Sequence, residues 1–248
     1  MNPASSEKSA RPLEVRALHY SYPDEHKALN GVSFSLRENE KLALVGPNGS
    51  GKSTLLLHLA GGIAARQGEI RLYGRPAGTE DLRRAVGLIF QEPDDQLFMP
   101  QVADDVAFGL VARGVPAAEA RLKALAMLER LDAAHLAERP PHRLSGGEKR
   151  LAALAGILVM EPQVIVLDEP TSALDPRARR RVIETLRALR RPLILTTHDL
   201  DMALDVCSRA VLLHDGAVAA EGSLPGLFRD KELLERNGLE LPLRYSAT

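Results

Sequence analysis

Short apolar runs bounded by Gly, Asn or Pro recur along the chain: GVSFSL (31–36), KLALV (41–45), EIRLY (69–73), AVGLIF (85–90), VIVLD (164–168), PLILTT (192–197) and RAVLLH (209–214). Runs of this length read as strands, and those that are apolar throughout read as central strands covered on both faces. Stretches with helical spacing lie between them at 52–61, 176–190 and 199–207, each after a strand and a loop. That alternation belongs to a parallel α/β sheet.

Residues 101–160 break the alternation. VADDVAFGLVARG, AAEARLKALAMLERL and GGEKRLAALAGILVM carry helix-period apolar positions with no strand between them. An all-helical subdomain at about 97–160, inserted between two halves of an α/β core, is therefore expected. A length of 248 residues suits a single two-layer domain, here over 13–244. The first 12 residues, MNPASSEKSARP, are polar and charged and predict a flexible arm. The closing GLFRDKELLERNGLELPLRY predicts one short amphipathic helix and a turn.

Composition excludes several classes of function. Thirty-two basic and thirty-three acidic side chains leave a formal charge of -1, so no global field draws the chain to nucleic acid or an anionic membrane. Cys207 is the only cysteine, which rules out an internal disulfide and a Cys-based zinc site. The seven His residues show no ligand spacing. No apolar run reaches the roughly 18 residues of a spanning helix, and the polar start predicts no signal peptide. The arginine run at 177–191 sits on a helix whose other face carries Val182, Ile183, Leu186 and Leu189, so a solvated face accounts for it better than nucleic acid does. AGILVM (155–160) is too short to span and reads as core.

Two segments carry chemistry. GPNGSGKST (46–54) fits GxxxxGK[ST] and follows the strand KLALV and opens the helix STLLLHLA, the context that pattern requires. Gly46, Gly49 and Gly51, with Pro47, Asn48 and Ser50 between them, form a loop whose N–H groups can turn inward around phosphate oxygens at a helix N-terminus. Lys52 supplies a point charge for the β- and γ-phosphates, Ser53 offers its hydroxyl to Mg²⁺, and Thr54 completes the motif. More than a hundred residues later, VIVLDEP ends an apolar strand in Asp168 and Glu169. Asp168 is the candidate to hold Mg²⁺ through water, and Glu169 the candidate base for the attacking water.

LSGGEKR (144–150) opens another predicted helix with Ser145, Gly146 and Gly147, a second set of amides able to face a phosphate. Taken with Tyr22, Gln91, the SALD segment ending at Asp175, and His198, the chain from about Leu13 to Pro242 resembles the ATP-binding cassette (ABC) family, motif by motif and in the same order. The resemblance implies a P-loop NTPase (RecA-like) α/β core with a parallel sheet, an inserted all-helical signature subdomain and an N-terminal antiparallel β part. It implies ATP and Mg²⁺ as cofactors, and a head-to-tail homodimer in which ATP on the phosphate loop of one copy is covered by Ser145, Gly146 and Gly147 of the other. Within it, Tyr22 stacks on adenine, Gln91 reaches Mg²⁺ and the water, His198 contacts the γ-phosphate and holds Glu169, and Asp175 contacts the facing copy.

VGLIFQEPDDQLF (86–98) and ADDVAFGL (103–110) narrow this further, because they resemble the ATPases of energy-coupling-factor importers; LSGGEKR, AGILVMEP and THDLDMALDVCSRAVLL are most similar to the cobalt and nickel branch. That branch implies a membrane scaffold subunit and a substrate-binding membrane subunit as partners, no nucleic acid, and a peripheral position on the cytoplasmic face of the membrane. Vitamin or other small-molecule transport and a soluble, non-transport cassette ATPase are the alternatives. The chain departs from many relatives in reading EKRLAALAG without a further basic residue and SALD in place of GLD.

Overall fold

The computed structural model describes residues 11–246, so the arm expected over 1–12 lies outside the described residues except for Arg11 and Pro12. The chain begins with β1 (Leu13–Ser21), β2 (Lys27–Leu36), β3 (Lys41–Val45), α1 (Lys52–Leu59), β4 (Gln67–Leu72), β5 (Arg75–Pro76), α2 (Thr79–Ala85) and β6 (Val86–Ile89). Three helices follow, α3 (Val102–Ala112), α4 (Ala117–Arg130) and α5 (Gly146–Leu158). The α/β alternation then resumes with β7 (Val164–Leu167), α6 (Pro176–Ala188), β8 (Leu193–Thr196), α7 (Leu200–Val206), β9 (Arg209–His214) and β10 (Ala217–Ser223). Short helices α8 (Leu224–Leu227), α9 (Lys231–Arg236) and α10 (Leu243–Ser246) close it.

The strands form two sheets, β2-β1-β4-β5 and β10-β9-β3-β8-β7-β6. The first is antiparallel; in the second, β9, β3, β8, β7 and β6 run parallel and β10 returns antiparallel along β9. Side chains along the central strands alternate between two cores. Leu42, Leu44, Val164 and Val166 pack toward α1 and the antiparallel sheet, while Ala43, Val45, Ile165 and Leu167 pack toward the helices. Burial on both faces is why these strands are unbroken apolar runs with no polar side to reveal their period. Their carboxyl ends point to one edge of the sheet, where ligands bind in open α/β folds.

The strands not singled out from the pattern have physical reasons for being obscure. In β1, Leu13, Val15 and Leu18 are buried, but the register slips between Val15 and Leu18 and Ala17 takes a φ of 44°, so the bulge interrupts the period of two. GVSFSL is the second half of β2, which starts at Lys27. β10, AVAAEGS, is an edge strand whose residues are half-buried or exposed and none fully buried, so no apolar run marks it. The closing segment forms separate helical turns rather than one helix.

On α6, Val182, Ile183 and Leu186 are buried as the spacing requires, and Arg177, Arg180 and Arg187 are exposed. Three arginines of the run do more than meet solvent: Arg179 pairs with Asp199 at 2.6 Å, Arg181 donates to the carbonyls of Leu131 (3.2 Å) and Asp132 (2.7 Å) beyond α4, and Arg191 donates to the Pro162 carbonyl at 2.7 Å. In AGILVM, Ala155, Leu158 and Val159 are buried in the helical core.

Candidate active site

The phosphate-loop segment turns from β3 into α1 at the carboxyl edge of the parallel sheet. Gly51, the residue before α1, has a φ of 99°, and a Cβ there would stand 2.3 Å from the carbonyl oxygen of Ala28, so no other residue fits. Gly49 has a φ of 78° with nothing within 4 Å of where its Cβ would be, which leaves that side of the loop open to a ligand. The Lys52 ammonium folds back under the loop and donates to the carbonyls of Gly46 and Pro47, both at 2.8 Å. Burial pulls its pKa below the ordinary lysine value, while the Glu169 and Asp168 carboxylates act to raise it. Ser50 is buried and its hydroxyl has no hydrogen-bond partner among the described residues.

Tyr22, Asn48, Gly49, Gly51, Lys52, Ser53, Thr54, Gln91, Asp168, Glu169 and His198 line one crevice, so residues more than 170 positions apart converge. Gly46, Pro47 and Ser50 complete the same loop. Tyr22 follows Ser21, the last residue of β1. It lies past the strand end in a turn where its N–H donates to the His26 carbonyl (2.9 Å) and its own carbonyl accepts from the Glu25 N–H (3.0 Å). Its hydroxyl and that of Thr54 are 2.9 Å apart, His26 stacks on the ring, and Tyr20 meets it edge-on with centroids 5.0 Å apart. Tyr20 in turn packs edge-on against His58, whose Nδ1 bonds the Thr54 carbonyl and whose pKa burial depresses.

The acidic pair leaves the end of β7 in a backbone pose that few side chains tolerate, with Glu169 at a φ of 45°. Thr196, at the end of the neighbouring β8, holds both acids: its hydroxyl donates to Asp168 Oδ1 (2.5 Å) and accepts from the Glu169 N–H (3.0 Å). Glu169 Oε2 accepts from the His198 backbone N–H at 3.2 Å. Its Oε1 lies 3.3 Å from His198 Nε2 and is buried without a hydrogen-bond partner among the described residues. Burial pushes the Glu169 carboxyl above its ordinary value, and the neighbouring His198, the His198 N–H and Lys52 act against that rise. A buried, basic carboxylate with a free acceptor atom is suited to take a proton from water.

Gln91 leaves the end of β6 and its side chain is exposed in the crevice. The second glutamine of that segment, Gln96, ties the loop to itself, donating to the Leu88 carbonyl and accepting from the Phe90 N–H, both at 3.0 Å. Arg150 and Lys149 of α5 reach the same loop, contacts the motif did not announce. Thr196, His26 and Arg150 are the residues sequence reasoning missed. A polar Thr inside the apolar run PLILTT and a basic residue on the buried side of a helix are the signals that could have found two of them.

Ser145, Gly146 and Gly147 do not join this crevice. Ser145 caps α5 in a reciprocal box with Glu148: the Ser145 N–H and hydroxyl both donate to Glu148 Oε2 at 2.8 Å, which lowers the Glu148 pKa. Ser145 and Gly147 border a separate depression with Asp175, which caps α6 by accepting from the N–H groups of Arg177 (2.9 Å) and Ala178 (3.0 Å). Among the described residues no cluster of three or more His, Cys, Asp or Glu could hold a metal by itself. The crevice instead offers single oxygen donors on Ser53, Gln91 and Asp168, a set that fits a hard cation whose remaining ligands are phosphate and water.

The sequence profile of the family described as ABC transporter matches residues 29–172. A Geobacter sulfurreducens protein provisionally described as an ABC transporter ATP-binding protein is 48% identical over 234 residues, covering 93% of this chain and 94% of its own. The energy-coupling factor transporter ATP-binding protein EcfA of Carboxydothermus hydrogenoformans is 44% identical, with 93% and 87% covered. Among solved structures, CbiO1 of Clostridium perfringens, part of the ABC transporter complex CbiONQ, superposes with a TM-score of 0.81 at 36% identity, over 92% of this chain and 94% of that one.

Proposed function

Because the chain belongs to the ABC transporter family and is an ATPase, we propose that it is the motor subunit of an energy-coupling-factor importer, working as a homodimer on the cytoplasmic face of the membrane, with cobalt or nickel ions as cargo. The observation that carries this reading is similarity along nearly the whole chain to EcfA and to CbiO1. Beside the Gln91 loop, Phe98 (62% exposed) and Phe108 (45% exposed) pack edge-on at 4.9 Å, an apolar surface suited to a helix of a membrane scaffold subunit. No helix among the described residues is long and apolar enough to cross a membrane, so attachment through such a subunit fits.

The chemistry follows from the crevice. The amides of the loop from Gly46 to Gly51 and the first turn of α1 face the phosphates, and Lys52 exchanges its two carbonyl partners for phosphate oxygens. Tyr22 offers a ring face for adenine. Mg²⁺, held by Ser53 and Asp168 with Gln91 alongside, would neutralise charge on the β- and γ-phosphates when bound. Glu169 Oε1 accepts the proton of the attacking water, and His198 keeps that carboxylate aimed through its backbone N–H while its ring faces the γ-phosphate. Ser145, Gly146 and Gly147 are not among the residues lining this crevice, and Ser145 and Gly147 border a separate depression, which supports their completing the site of a second copy. Closure then makes hydrolysis a property of the pair.

The test is to use the full chain as bait in solubilised native membranes, identify what co-purifies, and assay the complex for bound cobalt or nickel and for vitamins. A scaffold subunit with a metal-binding membrane subunit supports the whole reading. A vitamin-binding subunit changes the cargo and keeps the mechanism, whereas the absence of any membrane protein overturns the importer and leaves a soluble ATPase.

A further inference from the structure

The Gln91 loop is held by the helix that carries the signature residues. Arg150, one turn into α5, is 3% exposed and directs its guanidinium at two consecutive carbonyls, donating to Phe90 O at 2.7 Å through Nη1 and to Gln91 O at 2.6 Å through Nη2. Those carbonyls belong to the two peptide planes on either side of the Gln91 Cα. Fixing both sets the backbone dihedrals at Gln91 and therefore the direction in which its side chain leaves. Lys149, the preceding residue, adds a 2.6 Å ion pair to Asp94 in the short turn at Pro93–Asp95.

Burying a guanidinium is costly, and here burial lowers the Arg150 pKa, with Glu92 and Asp168 as the charges that offset it. Its Nε is left without a hydrogen-bond partner among the described residues. A residue chosen for stability alone at this position would be apolar, as its neighbours Leu151, Ala152 and Ala153 are. The cost makes sense if the two contacts do something for the site.

We infer that Arg150 is a positioning residue for ATP hydrolysis: its fork on the Phe90 and Gln91 carbonyls aims Gln91 into this chain's own crevice and makes the loop move with Ser145, Gly146 and Gly147 at the other end of the same helical turn. This rests on the assignment of Gln91 to the metal and the water. The loop that reads one nucleotide and the helix end that covers the other copy's nucleotide are thereby one rigid piece. Occupancy of one site is then felt at the second, and steady-state hydrolysis is cooperative in ATP. Lysine cannot substitute fully, since a point charge lacks the planar fork that engages both carbonyls at once.

The experiment compares Arg150→Met, Arg150→Lys, Lys149→Met and Gln91→Ala in the full-length chain. ATP binding, the Mg²⁺ concentration at half-maximal ATPase, kcat, the Hill coefficient for ATP and Tm are measured for each. Arg150→Met should raise the half-saturating Mg²⁺ concentration and lower kcat, each about tenfold, as loss of a supporting contact behind a metal ligand does. Its Hill coefficient should fall toward 1 with ATP binding little changed. Arg150→Lys should lie between Arg150→Met and the parent, and Lys149→Met closer to the parent. Should Arg150→Met not fold, Arg150→Lys, which keeps charge and length, carries the test. If the Arg150 variants change Tm alone, with Mg²⁺ dependence and cooperativity as in the parent while Gln91→Ala shifts the Mg²⁺ dependence, Arg150 is structural and the inference fails. If Gln91→Ala leaves the Mg²⁺ dependence untouched, the role of Gln91 fails and takes the inference with it.

Discussion

The Thr196 hydroxyl donates to Asp168 Oδ1 at 2.5 Å, so the acid that ends one strand is held by the residue that ends the next. The same oxygen accepts the Glu169 N–H. Thr196→Val keeps the shape and removes the hydroxyl, leaving a buried N–H and a carboxylate oxygen each short of a partner. We expect a loss of about 1–3 kcal/mol in stability and a fall in kcat larger than the change in ATP affinity, checked by thermal denaturation and steady-state ATPase.

Glu169→Gln should bind ATP and cut kcat by about a hundredfold or more, because the amide keeps the side chain's size and cannot take the proton. Size-exclusion chromatography with ATP should show an accumulated dimer. Hydrolysis at the parent rate would remove Glu169 from the role of base.

The same variant has a thermal signature. The folded-state pKa of Glu169 is raised above the ordinary 4.5, so within the window above that value the folded chain binds more protons than the unfolded chain. Its favourable contribution is therefore full below the unfolded value and is lost as pH rises through the folded value. Glu169→Gln, uncharged throughout, should lose less stability than the parent between acid and neutral pH. Parallel melting curves across that range test the sign.

Lys52→Ala removes an ammonium that burial already disfavours and that two backbone carbonyls satisfy. ATP affinity should fall about a hundredfold, in line with loss of a charge-assisted contact to phosphate. The rise in Tm that ATP produces in the parent should vanish, whereas the Tm without nucleotide should change little by comparison.

Ser145→Arg places a long cation where the signature must approach a second copy. The capping box is lost, at a cost of about 1 kcal/mol. Nucleotide binding by the monomer should persist with no hydrolysis at any protein concentration, and formation of a tight ATP-bound dimer by this variant would rule out a shared site.

Much of this was legible in the chain itself. The GKS triplet, the acid pair after VIVL and the glycines of LSGG are local: each is a loop chemistry attached to one strand or one helix end, and sequence order preserves it. The central strands were legible because burial on both faces makes them uniformly apolar. β1 was not, since its bulge at Ala17 breaks the alternation that a reader relies on. Tyr22 was identified as an aromatic for the site, but the turn that holds it, closed by His26, cannot be read from the residues between them.

The sequence by itself determined the fold class, the phosphate loop, the acids and the order of the motifs, because short-range backbone requirements write themselves into residue type. Only the tertiary structure decided which residues support them: that Thr196 bridges Asp168 and Glu169, that Arg150 grips the Gln91 loop, and that Ser145 lies away from its own crevice. Those contacts join positions from 27 to 60 residues apart. They exist only once two packed cores have set the distances between strand ends and helix ends, and no local pattern encodes a distance of that kind.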